Sequence, residues 1–530
     1  MEKEEQEIID AQNRDEKALV KDKSMWMSMV ASVVAFLLST AVSFFLTPYL
    51  IKTVGEDEYS FYPLANSFVS YISIITVALN SMAGRFVTIS LHRKETKKAK
   101  EYFNAVFFSS IIFCVILIPI GSLFIYNIDS FLTVPAELLT NVKILFGLVL
   151  ICMVINQMTN ILSIATYYKD KLYLNSFASV VSYVVQVLVA LLLFGLFPAK
   201  VYYVGIMNIC VYLTVAIFYL FYTRRLMPEM RIDRKYFRAD RVKELLSSGV
   251  WNSVSQLSNV LLNGLDLLIA NTYLGTMATA IISVSKTLPN NMTSLVSVIS
   301  NIFQPRFARE YAYNNTNALS ESVKSSIRLL GAIFCMPLGF LIVNGKSFFE
   351  LWVPQMDAQK LQVLSIMGMG ILFLSASITP VYGIFTITNK VKTNSIVVLA
   401  TGVLNVAVVL TLVQFTSDEI VRMYIIVGTS TAIGIIRHLL FTIPYASKCM
   451  KIKWYSLYMP LLRNVMLLGI SGAVYFTVAR FVPQETWLGF LFCGFIGTVI
   501  IALILWLVFL KKQERDALIG FLKEKIGRRR

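Results

Sequence analysis

Apolar residues run along this chain in long blocks separated by short polar stretches. A membrane-spanning helix needs about 20 predominantly apolar residues. Fourteen segments approach or exceed that length, near 25–51, 61–84, 105–126, 144–167, 174–197, 201–223, 247–274, 279–304, 326–344, 361–388, 394–414, 420–445, 458–481 and 487–510. The pattern predicts an all-α polytopic membrane protein with 14 transmembrane helices. Within some blocks the polar positions recur at steps of three or four. In segment 8 these are Thr279, Ser283, Lys286, Asn290, Thr293, Ser297, Asn301 and Gln304, all on one helical face. Segment 7 carries Asn252, Gln256, Asn259, Asn263 and Asp266 in the same way. Segments 1 and 2 have milder stripes, Ser28, Ser32, Ser39 and Ser43, then Asn66, Ser70, Ser73 and Asn80. In lipid such stripes face protein or a water-filled cavity. Both readings stand at this point: interhelical hydrogen bonding, which polar and small residues supply in any bundle, and the lining of a substrate path.

Four local matches recur in order at nearly one offset. Gly55 in "TVGEDEYSFY" pairs with Gly275 in "YLGTMATAI", 220 residues on. Arg85-Phe86 pairs with Arg306-Phe307 at 221, Val134-Pro135 with Val353-Pro354 at 219, and Asn175-Ser176 with Asn394-Ser395 at 219. Spans 1–6 and 7–12 therefore read as two copies of one unit. An even number of spans per copy makes the repeat parallel, and transporters built this way hold substrate between their halves. The expected organisation is an N-tail (1–24), an N-lobe (25–223), a linker (224–246), a C-lobe (247–445), two added helices (458–510) and a basic C-tail (511–530).

Charge fixes the expected orientation. The chain has 48 Lys and Arg against 31 Asp and Glu. Of the basic residues, 37 lie in the N-tail, the C-tail and the loops on their side, and 5 in the loops opposite. The positive-inside rule places both termini in the cytosol. The basic excess is a topology signal rather than a nucleic-acid footprint. The basic stretch 224–245 is a cytosolic linker, or an amphipathic helix lying on anionic headgroups. The first 23 residues are polar with no cleavage site, so the first span acts as the targeting signal.

Lys286 is the residue that most needs explaining. A charge at the bilayer centre costs roughly 2.5–3.5 kcal/mol on insertion scales. Counting at 1.5 Å per residue places it roughly 12 Å below the outer end of its span. It falls eleven residues past Gly275, as Asn66 falls eleven past Gly55, so the two are equivalent. Asp266 sits at a similar depth in the adjacent segment, and a Lys286–Asp266 pair would lower the burial cost of both. Pro289 frees a backbone carbonyl that could assist. Arg437 is a second intramembrane cation, with no acidic residue near it in sequence. A cavity carrying these cations suits an anionic substrate. Candidate substrate-binding residues are Lys286, Arg437, Asp266, Asn66, Asn263 and Asn290.

Other chemistries find little support. Two histidines, His92 and His438, make a histidine-based zinc site unexpected. The six cysteines lack metal or redox spacing and read as small hydrophobes. "GFLIVNGKS" (339–347) has the wrong glycine spacing for a phosphate-binding loop. No nucleotide-binding domain is present in the sequence, so direct ATP drive and any cofactor are not expected. No nucleophile–base arrangement stands out, and an enzyme is not expected.

Residues 44–76, "FFLTPYLIKTVGEDEYSFYPLANSFVSYISIIT", carry a family resemblance. The Tyr-Leu, the glycine turn, the Leu-Ala-Asn-Ser and "YISIIT" resemble the opening of the polysaccharide transporter (Wzx-type) flippases. That family shares a superfamily with multidrug and toxic-compound extruders and peptidoglycan-precursor flippases. The resemblance implies transport of an undecaprenyl-pyrophosphate-linked oligosaccharide from the inner to the outer leaflet of a bacterial cytoplasmic membrane. It implies membrane lipids, polysaccharide polymerase and glycosyltransferases as partners, and Lys286 and Arg437 near the anionic head. The alternative is a cation-coupled drug or small-molecule efflux antiporter. This chain departs from the peptidoglycan-precursor branch in having only Arg85, at the cytosolic rim, among first-lobe cavity arginines. It lacks the helix-1 acidic residue of one extruder branch.

Overall fold

The computed structural model describes residues 23–169, 171–300 and 303–509. Nearly all of the expected N-tail, the C-tail and Asn301 of the segment-8 stripe lie outside the described residues. Every regular element described is helical. The long helices are α1 (Lys23–Val54), α2 (Glu56–His92), α3 (Thr96–Tyr126), α4 (Leu139–Tyr168), α5 (Tyr173–Leu196) and α6 (Tyr202–Leu226). Next come α7 (239–274, interrupted by a π-helical turn at Val260–Gly264) and α8 (Thr276–Ser300). The remainder are α9 (Thr316–Trp352), α10 (Ala358–Ile387), α11 (Val391–Gln414), α12 (Glu419–Cys449), α13 (Tyr458–Ala479) and α14 (Trp487–Leu507).

Twelve of these are long and apolar enough to cross a membrane. The sequence pattern predicts 14, and the difference falls on α7 and α8. Both are helical, but their polar stripes dilute the apolar content, and α7 opens on the charged residues Asp240, Arg241, Lys243 and Glu244.

The repeat offset spaces the elements themselves. Helices α2 and α8 start 220 residues apart, as do α3 and α9. Short 3-10 turns break α4 at Ile161–Ser163 and α10 at Thr379–Val381, 218 apart. Gly55 and Gly275 are one-residue links with φ of 89° and 85° and nearly trans ψ. That region is essentially restricted to glycine. Gly55→Ala or Gly275→Ala is expected to cost about 1–3 kcal/mol, read as a lowered unfolding midpoint of the purified protein.

The chain divides into two compact units, residues up to Ala280 and residues from Ile281 onward. In the first, α6 packs on α4 and α5, α5 on α1, and α2 on α3 and α7. In the second, α12 packs on α10 and α11, and α9 packs on α10 and α13. Helix α9 carries Gly331, Cys335 and Gly339 at steps of four, a stripe that lets α13 approach closely. Asn464 of α13 donates to the Ile327 carbonyl at 2.8 Å, and Ser471 donates to the Cys335 carbonyl at 3.0 Å. A Cβ at Gly331 or Gly339 would overlap Asn464 or Ser471. Helix α14 packs on α13, and the Tyr475 and Thr498 hydroxyls meet at 2.9 Å.

The segment between α6 and α7 is docked on its own unit. Met227, Met230 and Leu245 are buried in a cluster with Leu79, Phe103 and Ile161. Arg241 donates to Glu101 and Glu244, each at 3.1 Å, and lies over the Tyr102 ring. Asp233 accepts the Lys235 N–H at 3.0 Å, and that bond holds its carboxyl below the usual carboxylate range. A helix lying on headgroups would present its apolar face to lipid. Here Met227, Met230 and Leu245 turn into protein, while Arg231, Arg234, Lys235 and Arg238 stay exposed.

Candidate functional site

The stripe on α7 is partly consumed by a polar seam with α2. Asn252 donates to the Ser81 hydroxyl at 2.9 Å, and Ser253 to the Ile74 carbonyl at 2.6 Å. Gln256 donates to Ser73 at 3.2 Å, and Tyr71 to the Gly264 carbonyl at 2.7 Å. Gly249 makes the approach possible, since a Cβ there would overlap the Ala78 backbone carbonyl. For Asn252, Gln256 and Ser73 the stripes are interhelical contacts.

Beyond that seam α7 widens into its π-helical turn, Val260–Gly264. Such bulges insert one extra residue per turn and collect at functional sites. Asn263 lies on this turn and is exposed, and Asp266 follows it. Asp266 is buried at 2% exposure, at the first turn of Asp266–Leu274 and electrostatically coupled to Tyr71. A carboxylate is favoured at that helix end, where backbone N–H groups point outward.

Lys286 is half-buried midway along α8, and Asn290, one turn on, is exposed. Pro289 lies inside the helix and lacks the N–H that would bond the Ser285 carbonyl. The Ser365 hydroxyl of α10 donates to that carbonyl at 2.6 Å. Ser365→Ala should leave a buried carbonyl unpaired at a cost of about 1–3 kcal/mol, seen as loss of thermal stability with the helix content unchanged.

Arg437 is 9% exposed and closes the regular part of α12, just before a second π-helical turn at His438–Thr442. Its Nη2 lies 3.5 Å from Nε2 of the buried His438. Its Nε and the His438 Nδ1 are buried without hydrogen-bond partners among the described residues. Tyr382 faces the His438 ring at a centroid distance of 6.3 Å.

Asn66 belongs to a different feature. It lines a cavity of about 590 Å³ inside the first unit, between α1, α2, α4, α5 and α6. Ser39 and Ser43 of the segment-1 stripe line it too, with Tyr62, Tyr183, Gln186, Asn208 and Tyr212. Gln186 donates to Asn208 at 3.4 Å, and the Tyr62 hydroxyl reaches the Asn66 and Asn208 side chains. Of the six residues foreseen from sequence, the first unit holds Asn66 in this cavity and places Asn263 and Asp266 near its α2–α7 seam. The second unit holds Lys286, Asn290 and Arg437. The α5 and α6 contributions were not foreseen, although Asn175, Ser179, Ser182 and Gln186 repeat at three and four residues. That stripe is as regular as the one on α2.

Comparison with known proteins supplies the family. The model of the polysaccharide biosynthesis protein family matches residues 63–349, more than half of the chain. The uncharacterized membrane protein EpsK of Bacillus subtilis (strain 168) is 28% identical over 510 residues, covering 94% of this chain and 98% of that protein. The lipid II flippase MurJ in an inward closed conformation has the same fold, with a TM-score of 0.65 at 13% identity, over 90% of this chain and 98% of MurJ. An inward-facing multidrug resistance transporter of the MATE family gives 0.63 at 15% identity, over 79% and 96%. This multi-pass membrane protein belongs to the polysaccharide biosynthesis protein family.

Proposed function

We propose that this transporter carries an undecaprenyl-pyrophosphate-linked oligosaccharide from the inner to the outer leaflet of a bacterial cytoplasmic membrane, for export of a surface polysaccharide. In this reading α7 and α8 also cross the membrane, giving 14 spans. The N-lobe (25–223) and C-lobe (247–445) work by alternating access. Glycosyltransferases supply the substrate, and a polysaccharide polymerase receives it.

The observation that carries the reading is the Arg437 guanidinium. It is buried in an apolar helix, its Nε is unpartnered, and no carboxylate forms an ion pair with it among the described residues. A buried cation left without an anion is strongly destabilising, so a site that keeps one is suited to receive an anion from outside the protein. Lys286 adds a compact positive charge that meets phosphate oxygens without demanding fork geometry.

The purified protein in vesicles should transfer lipid-linked oligosaccharide, extracted from a gene-deletion strain, to the opposite leaflet, where a sugar-directed reagent reaches it. Vesicles showing no transfer above protein-free controls would overturn the reading. Orientation has its own test. A lone cysteine at Arg231 in a cysteine-free background should resist an impermeant thiol reagent in intact cells and react after permeabilisation. Labelling in intact cells would reverse the topology.

A further inference from the structure

The cavity inside the first unit has a composition that packing does not explain. Its lining residues include no Asp, Glu, Lys, Arg or His. They are amides, hydroxyls and four tyrosines, Tyr62, Tyr183, Tyr212 and Tyr219, with a few apolar residues. Amides and hydroxyls both donate and accept hydrogen bonds, as sugar hydroxyls do. Aromatic faces take the apolar C–H faces of a sugar ring. A volume of about 590 Å³ falls inside the roughly 300–1,000 Å³ range of ligand sites. The lining offers no fixed charge to pair with a phosphate or an ammonium group.

The second copy of the repeat shows that the fold does not require this polarity. At the repeat offset Tyr62 corresponds to Ile282, Asn66 to Lys286 and Tyr183 to Gly402. Equivalent helices with equivalent breaks are therefore built without those side chains. Only Asn175 and Gln186 keep an amide, as Asn394 and Asn405. The polar ring of the first unit has been retained or acquired for something other than helix packing.

A continuation of the cavity points the same way. A smaller space of about 360 Å³ shares Asn160, Ser163 and Asn175 with it and is bordered by Arg85. The polar tract thus runs from Tyr62 on α2 to the end of that helix bearing the single arginine.

We propose that this cavity binds neutral sugar units of the lipid-linked substrate, separately from the cations that meet its pyrophosphate. The inference rests on the flippase reading for the identity of the substrate, and on the cavity alone for its chemistry.

Saturation-transfer NMR on the full-length protein in nanodiscs tests it, with maltotriose as the neutral probe. Wild type should transfer saturation to the sugar ring protons. The double variant Gln186→Leu/Asn208→Leu should lose the signal, and Tyr212→Phe, which keeps the ring, should weaken it. Unchanged size-exclusion profiles and helix content establish that the variants are folded. No transfer in wild type, or undiminished transfer in the folded double variant, overturns the proposal. Competition separates the two sources of sugar. Decyl maltoside below its micelle concentration should displace maltotriose at lower concentration than free maltose does. Equal potency would assign the cavity to free saccharide and overturn the link to a lipid-borne substrate. None of these outcomes touches the leaflet-transfer assay, so the cavity and the flippase reading fail separately.

Discussion

Lys286→Ala is expected to abolish surface polysaccharide while leaving the amount of protein in the membrane unchanged. Lys286 stands midway along a helix that would otherwise be neutral, at the place taken by Asn66 in the first copy of the repeat. Replacing it removes a charge that the proposed pyrophosphate contact needs, and charge-assisted hydrogen bonds are about twice as strong as neutral ones. Lys286→Arg should keep part of the activity, because the charge remains and only its shape changes. Capsule or matrix sugar in a complemented deletion strain, measured against immunoblotted protein, gives the readout. The pairing with Asp266 foreseen from sequence makes the opposite forecast. If Lys286 served only as that partner, Lys286→Ala with Asp266→Ala would remove both charges and restore export. Full export by the double variant would sink the substrate-contact role.

Gly249→Val should have the next largest effect, by prising α7 off α2. Its side chain would occupy the space of the Ala78 carbonyl, and a backbone atom cannot swing aside as a side chain can. Four hydrogen bonds depend on the closeness of the two helices, from Asn252, Ser253, Gln256 and Tyr71. At about 1 kcal/mol net for each, their joint loss would be a large fraction of a stability of about 5–15 kcal/mol. The direct measurement is a disulfide between Ser73→Cys and Gln256→Cys, whose native side chains hydrogen-bond at 3.2 Å. It should form on mild oxidation in the parent and fail once Gly249→Val is added. Efficient crosslinking in the valine variant would show that α2 and α7 tolerate the bulk.

The parts of this molecule that lipid dictates were readable from the chain. Apolar runs gave the helices because a backbone in hydrocarbon must satisfy its own hydrogen bonds. The glycines at 55 and 275 betrayed the repeat because their conformation admits almost nothing else. Partners were not readable. Asn252 and Gln256 show the same three-to-four spacing whether they face Ser81 and Ser73 or open water, since the period reports only that a face is polar. The carbonyl released by Pro289 could be anticipated, but its partner, Ser365, lies 80 residues away on another helix. Arg437 could be named as an intramembrane cation, while the π-helical turn beside it and its unpartnered Nε depend on packing. The six candidate residues came from four short stretches of chain and missed α5 and α6 entirely. Their stripe of Asn175, Ser179, Ser182 and Gln186 lacks a charge, and charge was what drew attention to α7 and α8.

The one-residue links at Gly55 and Gly275 bear on how such a chain came about. A gene that duplicates in tandem yields two halves bound by the same folding rules but released from identical duties. The turns and the 3-10 breaks stay locked, because drift there costs stability. Side chains that line a cavity carry no such debt to the scaffold, and substitutions there accumulate under selection for ligand alone. Asn66 and Lys286 are then descendants of a single ancestral position, one remaining neutral and one bearing charge. Ancestral reconstruction should recover one residue at both sites, and exchanging the two in the living protein would ask whether each half has since become committed to its own ligand.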